Sequence, residues 1–351
     1  MKKIFTAFIL MICAACVASA ANYLTFTAEE DGSTFGIVNN EDNNPDLQYS
    51  LDGGETWTAL TGGEKVTLAH KGDKALLRGD NPQGFSKGYF KYSTFNMTGK
   101  AAASGSVMSL IDGLGLSTQI PEDYSFSHLF SGCTSLTQAP ELPATRLAEH
   151  CYSSMFSGCT NLTKAPELPA TTLADNCYRD MFSGCTSLTQ APELPATEMS
   201  FYCYNSMFSG CTSLTQAPEL PAMTLTRNCY SGMFSGCTSL TQAPELPATT
   251  LTDHCYQYMF QGCTSLTKAP ELPATILAYE CYSSMFSGCT SLTQISVSFN
   301  DWGDGFYTDE WVYNVAPTGT FICPKALPLE YGEDRIPKGW KFKSEVSQAE
   351  K

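Results

Sequence analysis

The sequence predicts an α+β repeat protein, a solenoid with short parallel strands and helical convex segments, preceded by a small β-sandwich. Three observations carry this. Cysteines recur at 133, 159, 185, 211, 237, 263 and 289, and a second set at 151, 177, 203, 229, 255 and 281 keeps the same 26-residue period. The residues between them repeat as T-S-L-T-Q-A-P-E-L-P-A-T, a variable stretch, then C-Y-x-x-M-F-S-G-C. A fixed period without insertions means one supersecondary unit stacked on copies of itself. Residues 21–115, by contrast, lack cysteine and carry short alternating runs parted by Asp, Asn, Gly and Pro.

The chain opens Met1-Lys2-Lys3, runs apolar from Ile4 to Val17 and reads Ala18-Ser19-Ala20-Ala21. Basic start, short apolar core and A-x-A exit predict a secretory signal peptide over 1–20. The rival is a lipid anchor at Cys16, disfavoured because Cys13 stands where a lipobox places Leu, Val or Ile. The apolar run is shorter than the roughly 20 residues a bilayer requires, and no later segment replaces it. The chain has 20 basic and 35 acidic residues; losing the leader removes two lysines and takes the net charge from −15 to −17. With no basic cluster, nucleic acid is excluded as a partner, because phosphate binding needs a positive face.

Alternating runs lie around 24–27, 34–37, 47–51, 56–60, 64–68, 74–78 and 89–93. Short strands at this density predict an Ig-like β-sandwich over 21–118. Within it, Ser50-Leu51-Asp52-Gly53-Gly54-Glu55-Thr56-Trp57 matches the S-x-D-x-G-x-T-W Asp-box found in sialidases and other β-propellers. That resemblance implies a hairpin closed by Asp bonding turn amides over a packed Trp. It does not imply catalysis, since the motif occurs once and residues 21–115 offer no arginine cluster with a tyrosine–carboxylate pair.

The solenoid is expected over 119–298. In the specimen repeat Thr134–Cys159, Leu136 and Ala139 mark a leucine-rich-repeat strand, and Pro140 ends its ladder because proline has no N–H. Leu142 turns inward from an extended connection. Leu147, Cys151, Met155 and Cys159 step by four beside Tyr152 and Phe156, which predicts a helix of about three turns. Thr145 would start it and Gly158 end it in a left-handed conformation. One repeat cannot bury enough surface to stand alone, so the ends need caps. Residues 299–351 form the C-terminal cap and tail, with Trp302, Trp311 and Tyr313 available to cover the last coil.

Fourteen cysteines in an exported chain invite disulfides. Within a repeat, Cys151 and Cys159 would lie about 12 Å apart along a helix, beyond the roughly 7 Å that a bridge spans. Buried thiols are the favoured reading, with bridging between coils as the alternative. Zinc fits poorly, because C-x7-C is not ligand spacing and the four histidines stand outside the array. No cofactor or metal is expected. Cys323 falls outside the period and has no assigned role.

Three columns form the candidate interaction face. The hydroxyl column is Thr137, Thr163, Thr189, Thr215, Thr241 and Thr267. The next is Gln138, Lys164, Gln190, Gln216, Gln242 and Lys268. The acidic column is Glu141, Glu167, Glu193, Glu219, Glu245 and Glu271. Such uniformity suits a repetitive ligand; equally, recently duplicated copies that have not diverged would look the same. Calcium is a weak candidate, as one carboxylate per coil is thin for six to eight oxygens. Catalysis needs unlike groups at one point, which a regular ladder does not provide.

The M-F-S-G-C-T-S-L-T core resembles the BspA-like leucine-rich-repeat surface proteins over roughly 124–295. The Q-Y-S-L-D-G-G-E-T-W segment and Gly319–Trp340 are similar to flanks found there. The repeat departs from the family's usual length of near 23 residues by adding the A-P-E-L-P-A connection, so curvature and ligand do not carry over. The resemblance implies an exported, cell-surface or extracellular protein of a Gram-negative bacterium. It also implies no catalytic residues and, for some members, adhesion. The expectation is therefore a monomeric, non-enzymatic adhesion or protein-interaction solenoid whose partners are host or microbial surface proteins. The alternative is binding of polysaccharide or host glycan.

Overall fold

The computed structural model describes residues 20–303 and 306–344; the expected leader up to Ser19, with Cys16, lies outside the described residues. The N-terminal module begins with β1 (Leu24–Ala28), β2 (Ser33–Asn39), β3 (Gln48–Ser50) and β4 (Thr58–Ala59). It continues with β5 (Lys65–Leu68), β6 (Lys74–Arg78), β7 (Ser93–Thr98) and β8 (Ala101–Ser104). One antiparallel sheet runs β4-β3-β6-β1-β8 and a second runs β5-β2-β7. Period-two alternation sends Leu24 and Phe26 of β1, and Phe35 and Ile37 of β2, into the core. The sheets face each other there: the Phe26 ring meets Phe35 at 5.2 Å and Phe95 at 5.0 Å.

Two details differ from expectation. The run 89–93 belongs to a turn closed by the Lys87 N–H on the Lys91 carbonyl at 2.7 Å, so β7 starts only at Ser93. β8 was not foreseen, because Ala101, Ala102 and Ala103 carry no apolar–polar alternation. The Asp-box closes the β3–β4 hairpin as expected. Asp52 accepts the Thr56 amide at 2.9 Å and the Ser50 hydroxyl at 2.7 Å, and Trp57 donates to the Gly54 carbonyl at 3.1 Å. The Thr56 hydroxyl, then its amide, hold the Asp52 carboxyl well below the usual range. Its oxygens are occupied by the turn.

The convex segment is not helical. His150, Ser154 and Gly158 have φ of 53°, 54° and 74°, and the same left-handed triplet recurs through every copy. Each such residue ends one turn and starts another. Odd-numbered amides close local turns, as Ser153 to His150 at 3.1 Å and Met155 to Tyr152 at 3.1 Å. Even-numbered amides reach the next coil: His150 to Asp175 at 2.9 Å, Tyr152 to Cys177 at 3.0 Å, and Ser154 to Arg179 at 2.8 Å. Phe156 to Met181 at 2.9 Å and Gly158 to Ser183 at 2.7 Å complete the set. A helix would spend all these donors on itself. Thr145 accordingly caps nothing; its amide bonds the Thr118 carbonyl at 2.9 Å.

The strand wall is thinner than expected. Strands form at β9 (Leu136–Gln138), β10 (Lys268–Leu272) and β11 (Gln294–Val297), while the copies between keep single parallel bridges such as Lys164 with Gln190. The proline four residues after each repeat leucine, such as Pro166 after Leu162 and Pro192 after Leu188, thins this wall because it has no N–H to donate, and even at β10 the register shifts across Pro270. Coil-to-coil bonding is thus concentrated on the turn staircase.

Inside, one aromatic column runs from Phe95 of the module through Phe130, Phe156, Phe182 and onward to Phe286, with centroid spacings of 5.3 to 5.9 Å. A parallel column runs from Phe126 through Tyr152 to Tyr282. Trp311 ends both, 6.1 Å from Phe286 and 6.4 Å from Tyr282. Trp302 and Trp311 are buried as expected, but Tyr313 is 48% exposed. The tail is itself a degenerate coil: Gly288 still donates to Tyr313, and β12 (Thr320–Cys323) pairs in parallel with β11, Thr320 lying 26 residues beyond Gln294. β13 (Lys341–Ser344) adds the last strand, and Cys323 is a buried residue of β12.

At the other end the module is joined to the solenoid without a break. β8 pairs in parallel with β9, the Phe95 amide of β7 bonds the Leu129 carbonyl at 2.8 Å, and Ser86 bonds the Ser125 carbonyl at 2.9 Å. Among the described residues no helix is long and apolar enough to cross a membrane.

The thirteen repeat cysteines are buried free thiols, and Cys323 is buried as well. The Gly158-adjacent column works as a donor: Cys133 bonds the Phe95 carbonyl at 2.8 Å and Cys159 the Phe130 carbonyl at 3.1 Å, a contact repeated up to Cys289. Burial pushes Cys151, Cys185 and Cys237 up to about 12. A thiol reagent at pH 8 should therefore modify none of these positions until the protein is unfolded, as counted by mass spectrometry. Rapid labelling of several in the native state would show that the coils do not pack as described. Phe208→Ala, in mid-column, should cost about 3–5 kcal/mol in urea denaturation. A loss under about 1 kcal/mol would mean the column is not a packed core.

Candidate interaction face

Each coil presents its strand side through the same local logic. Leu136 and Leu142 are fully sunk in the core, at 0% and 3% exposure, and pin the segment at both ends. Between them Gln138 and Glu141 face solvent, and Pro140 is buried. The proline-flanked stretch is extended, with little freedom to rearrange.

The structure places the eighteen candidate residues along the strand side, distributed over three grooves. The first, of about 830 Å³, is lined by Thr137, Gln138, Glu141, Thr163, Lys164 and Glu167. The second, of about 660 Å³, contains Thr189, Gln190, Glu193, Thr215, Gln216 and Glu219. The third, of about 710 Å³, holds Thr241, Gln242, Glu245, Thr267, Lys268 and Glu271. Every coil therefore contributes one hydroxyl, one amide or ammonium, and one carboxylate to a repeating surface.

The columns are not equivalent. Threonine is partly committed to stacking: Thr137 donates to the Ala101 carbonyl at 3.2 Å and Thr189 to the Thr163 carbonyl at 3.4 Å. Glu141 is tied to the module by the Asn22 amide at 2.7 Å. The side chains of Glu167, Glu193, Glu219, Glu245 and Glu271 make no hydrogen bond among the described residues. Six carboxylates against two lysines make the face acidic.

Sequence reasoning missed Glu29 and Ser104, which the module adds to the first groove, because their approach depends on the β8–β9 pairing. It also missed the proline walls, such as Pro192, Pro195 and Pro221. Their strict recurrence was the available signal.

Unlike groups meet on the turn side, where the His254 ring lies 3.4 Å from Glu280 and within 3.2 Å of Gln257. Gln257 also bonds Glu280, so the trio staples two coils. Among the described residues no three His, Cys, Asp or Glu side chains gather to hold a metal ion.

A family model described as a BspA type leucine rich repeat region matches residues 126–241 and 202–308, with six copies. Together these stretches cover just over half of the 351 residues. No curated protein and no solved structure matches the chain.

Proposed function

Because the chain belongs to the BspA-type leucine-rich-repeat family, we propose that it is an exported surface protein. In this reading it binds other proteins through the strand face of its solenoid, as a monomer and without catalysis. The observation that carries it is the continuity of that face: three grooves in line, each built from the same hydroxyl, amide and carboxylate columns. The glutamate column supports it further, since those carboxylates have no bonding role in the fold and the extended proline backbone holds them ready. Export is supported by the leader expected over 1–20, and a cell-surface setting in a Gram-negative organism by the family resemblance. Cleavage after Ala20 is favoured over lipidation at Cys16.

A second reading, capture of a polysaccharide or host glycan, draws on the same hydroxyl and amide rows. The two separate experimentally. Full-length protein should bind members of a panel of purified host-matrix proteins. The combined change Gln190→Ala, Glu193→Ala, Gln216→Ala and Glu219→Ala should weaken that binding by about tenfold or more, because interface energy concentrates in a few residues. The melting temperature should stay put, as all four side chains are exposed. Unchanged binding by the quadruple variant would remove the face from the account, and binding confined to a glycan array would favour the second reading.

A further inference from the structure

A smaller groove lies on the other wall, where the module meets the first coil. It encloses about 400 Å³ between Val38 and Asn40 at the end of β2, Tyr92, Thr94 and Asn96 along β7, and Ser131 of the first turn staircase. No lining side chain is charged. The Tyr92 ring is braced by His128 at 4.4 Å, and the Thr94 hydroxyl is fixed on the His128 carbonyl at 2.9 Å. The Asn96 amide and the Tyr92 and Ser131 hydroxyls, by contrast, make no hydrogen bond among the described residues.

This is an aromatic surface beside uncommitted groups that both donate and accept, all held on a strand and a packed turn. A pyranose ring presents the matching chemistry, an apolar C–H face and hydroxyls that need both kinds of partner. The volume sits at the small end of ligand clefts, roughly 300–1,000 Å³, and suits a sugar unit rather than a polymer segment. An anionic ligand would find no counter-charge. An extended peptide would find no open strand edge, because β7 is already bonded to β2 on one side and to Leu129 on the other.

We propose that this groove binds a neutral hexose unit of a glycan. It shares no residue with the strand face, so either site stands or falls alone. The test is saturation-transfer NMR on full-length protein with methyl glucoside, methyl galactoside and methyl mannoside, and with methyl glucuronide as the charged control. At least one neutral hexoside should show saturable transfer, weakened roughly tenfold or more by Asn96→Ala. Tyr92→Ala should abolish it, the glucuronide should not bind, and Glu193→Ala should change nothing. The proposal is overturned if no neutral hexoside binds, if the glucuronide binds as well, or if Asn96→Ala leaves transfer intact. Asn96 is exposed and unbonded through its side chain, so that variant reports on the site whether or not Tyr92→Ala folds.

Discussion

The rest of the structure depends on one requirement: the even-numbered amides of each turn staircase must find carbonyls in the next coil. Five such donors per repeat, at 150, 152, 154, 156 and 158 in the specimen, reach acceptors 25 residues on at 2.7 to 3.0 Å. A buried amide left without a partner costs about 1–3 kcal/mol, so a slip of one residue would be penalised at every step. That accounts for a period that never varies while side chains at positions 149 and 150 change freely. It also accounts for the caps. Residues 307–313 continue the acceptor row for Tyr282, Ser284, Phe286 and Gly288, and the Glu310 amide then ends on the Asp334 carboxylate at 2.8 Å. At the opposite end the module supplies donors from Ser86 and Phe95. Module, repeats and tail consequently share one core.

Much of this was legible in the amino-acid order. The period, the inward leucines, the Asp-box hairpin and the thiol burial follow from spacing and residue chemistry. The staircase did not, although its signal was present. Cys151, Met155 and Cys159 step by four without the adjustment to 3.6 that a helical stripe needs. The positions between, His150, Ser154 and Gly158, keep to residues such as Asn, Asp, Ser, His and Gly in many copies, the types that tolerate φ > 0. β8 escaped because three alanines read neither as strand nor as core until a partner strand lies beside them. Tyr313 was assigned to the cap on aromatic character alone, whereas its backbone carbonyl, not its ring, is what the last coil uses.

The uniformity of the strand face has two sources that the structure separates. Buried Pro140 and the threonine hydroxyls bonded to preceding carbonyls are kept by the fold. The glutamates from 167 to 271 are not, since their side chains bond to nothing described. The fold gives this column no bonding role, so its uniformity is explained either by recent duplication or by a partner. The neutral groove at Tyr92 and Asn96 is built on the opposite principle, with one set of unlike, uncharged groups that no other coil repeats.

The central claim is that stacking runs through backbone bonds on the convex side. It is tested most directly by scalar coupling across hydrogen bonds, in protein labelled at glycine nitrogen and glutamine carbonyl carbon. Gly232 should couple to Gln257 and Gly236 to Gln261, both bonds being 2.7 Å long. No peptide bond joins either pair, so a correlation arises only across the hydrogen bond itself. A helical convex segment would instead direct Gly232 to Asn228, and the absence of both glycine–glutamine correlations would contradict the account.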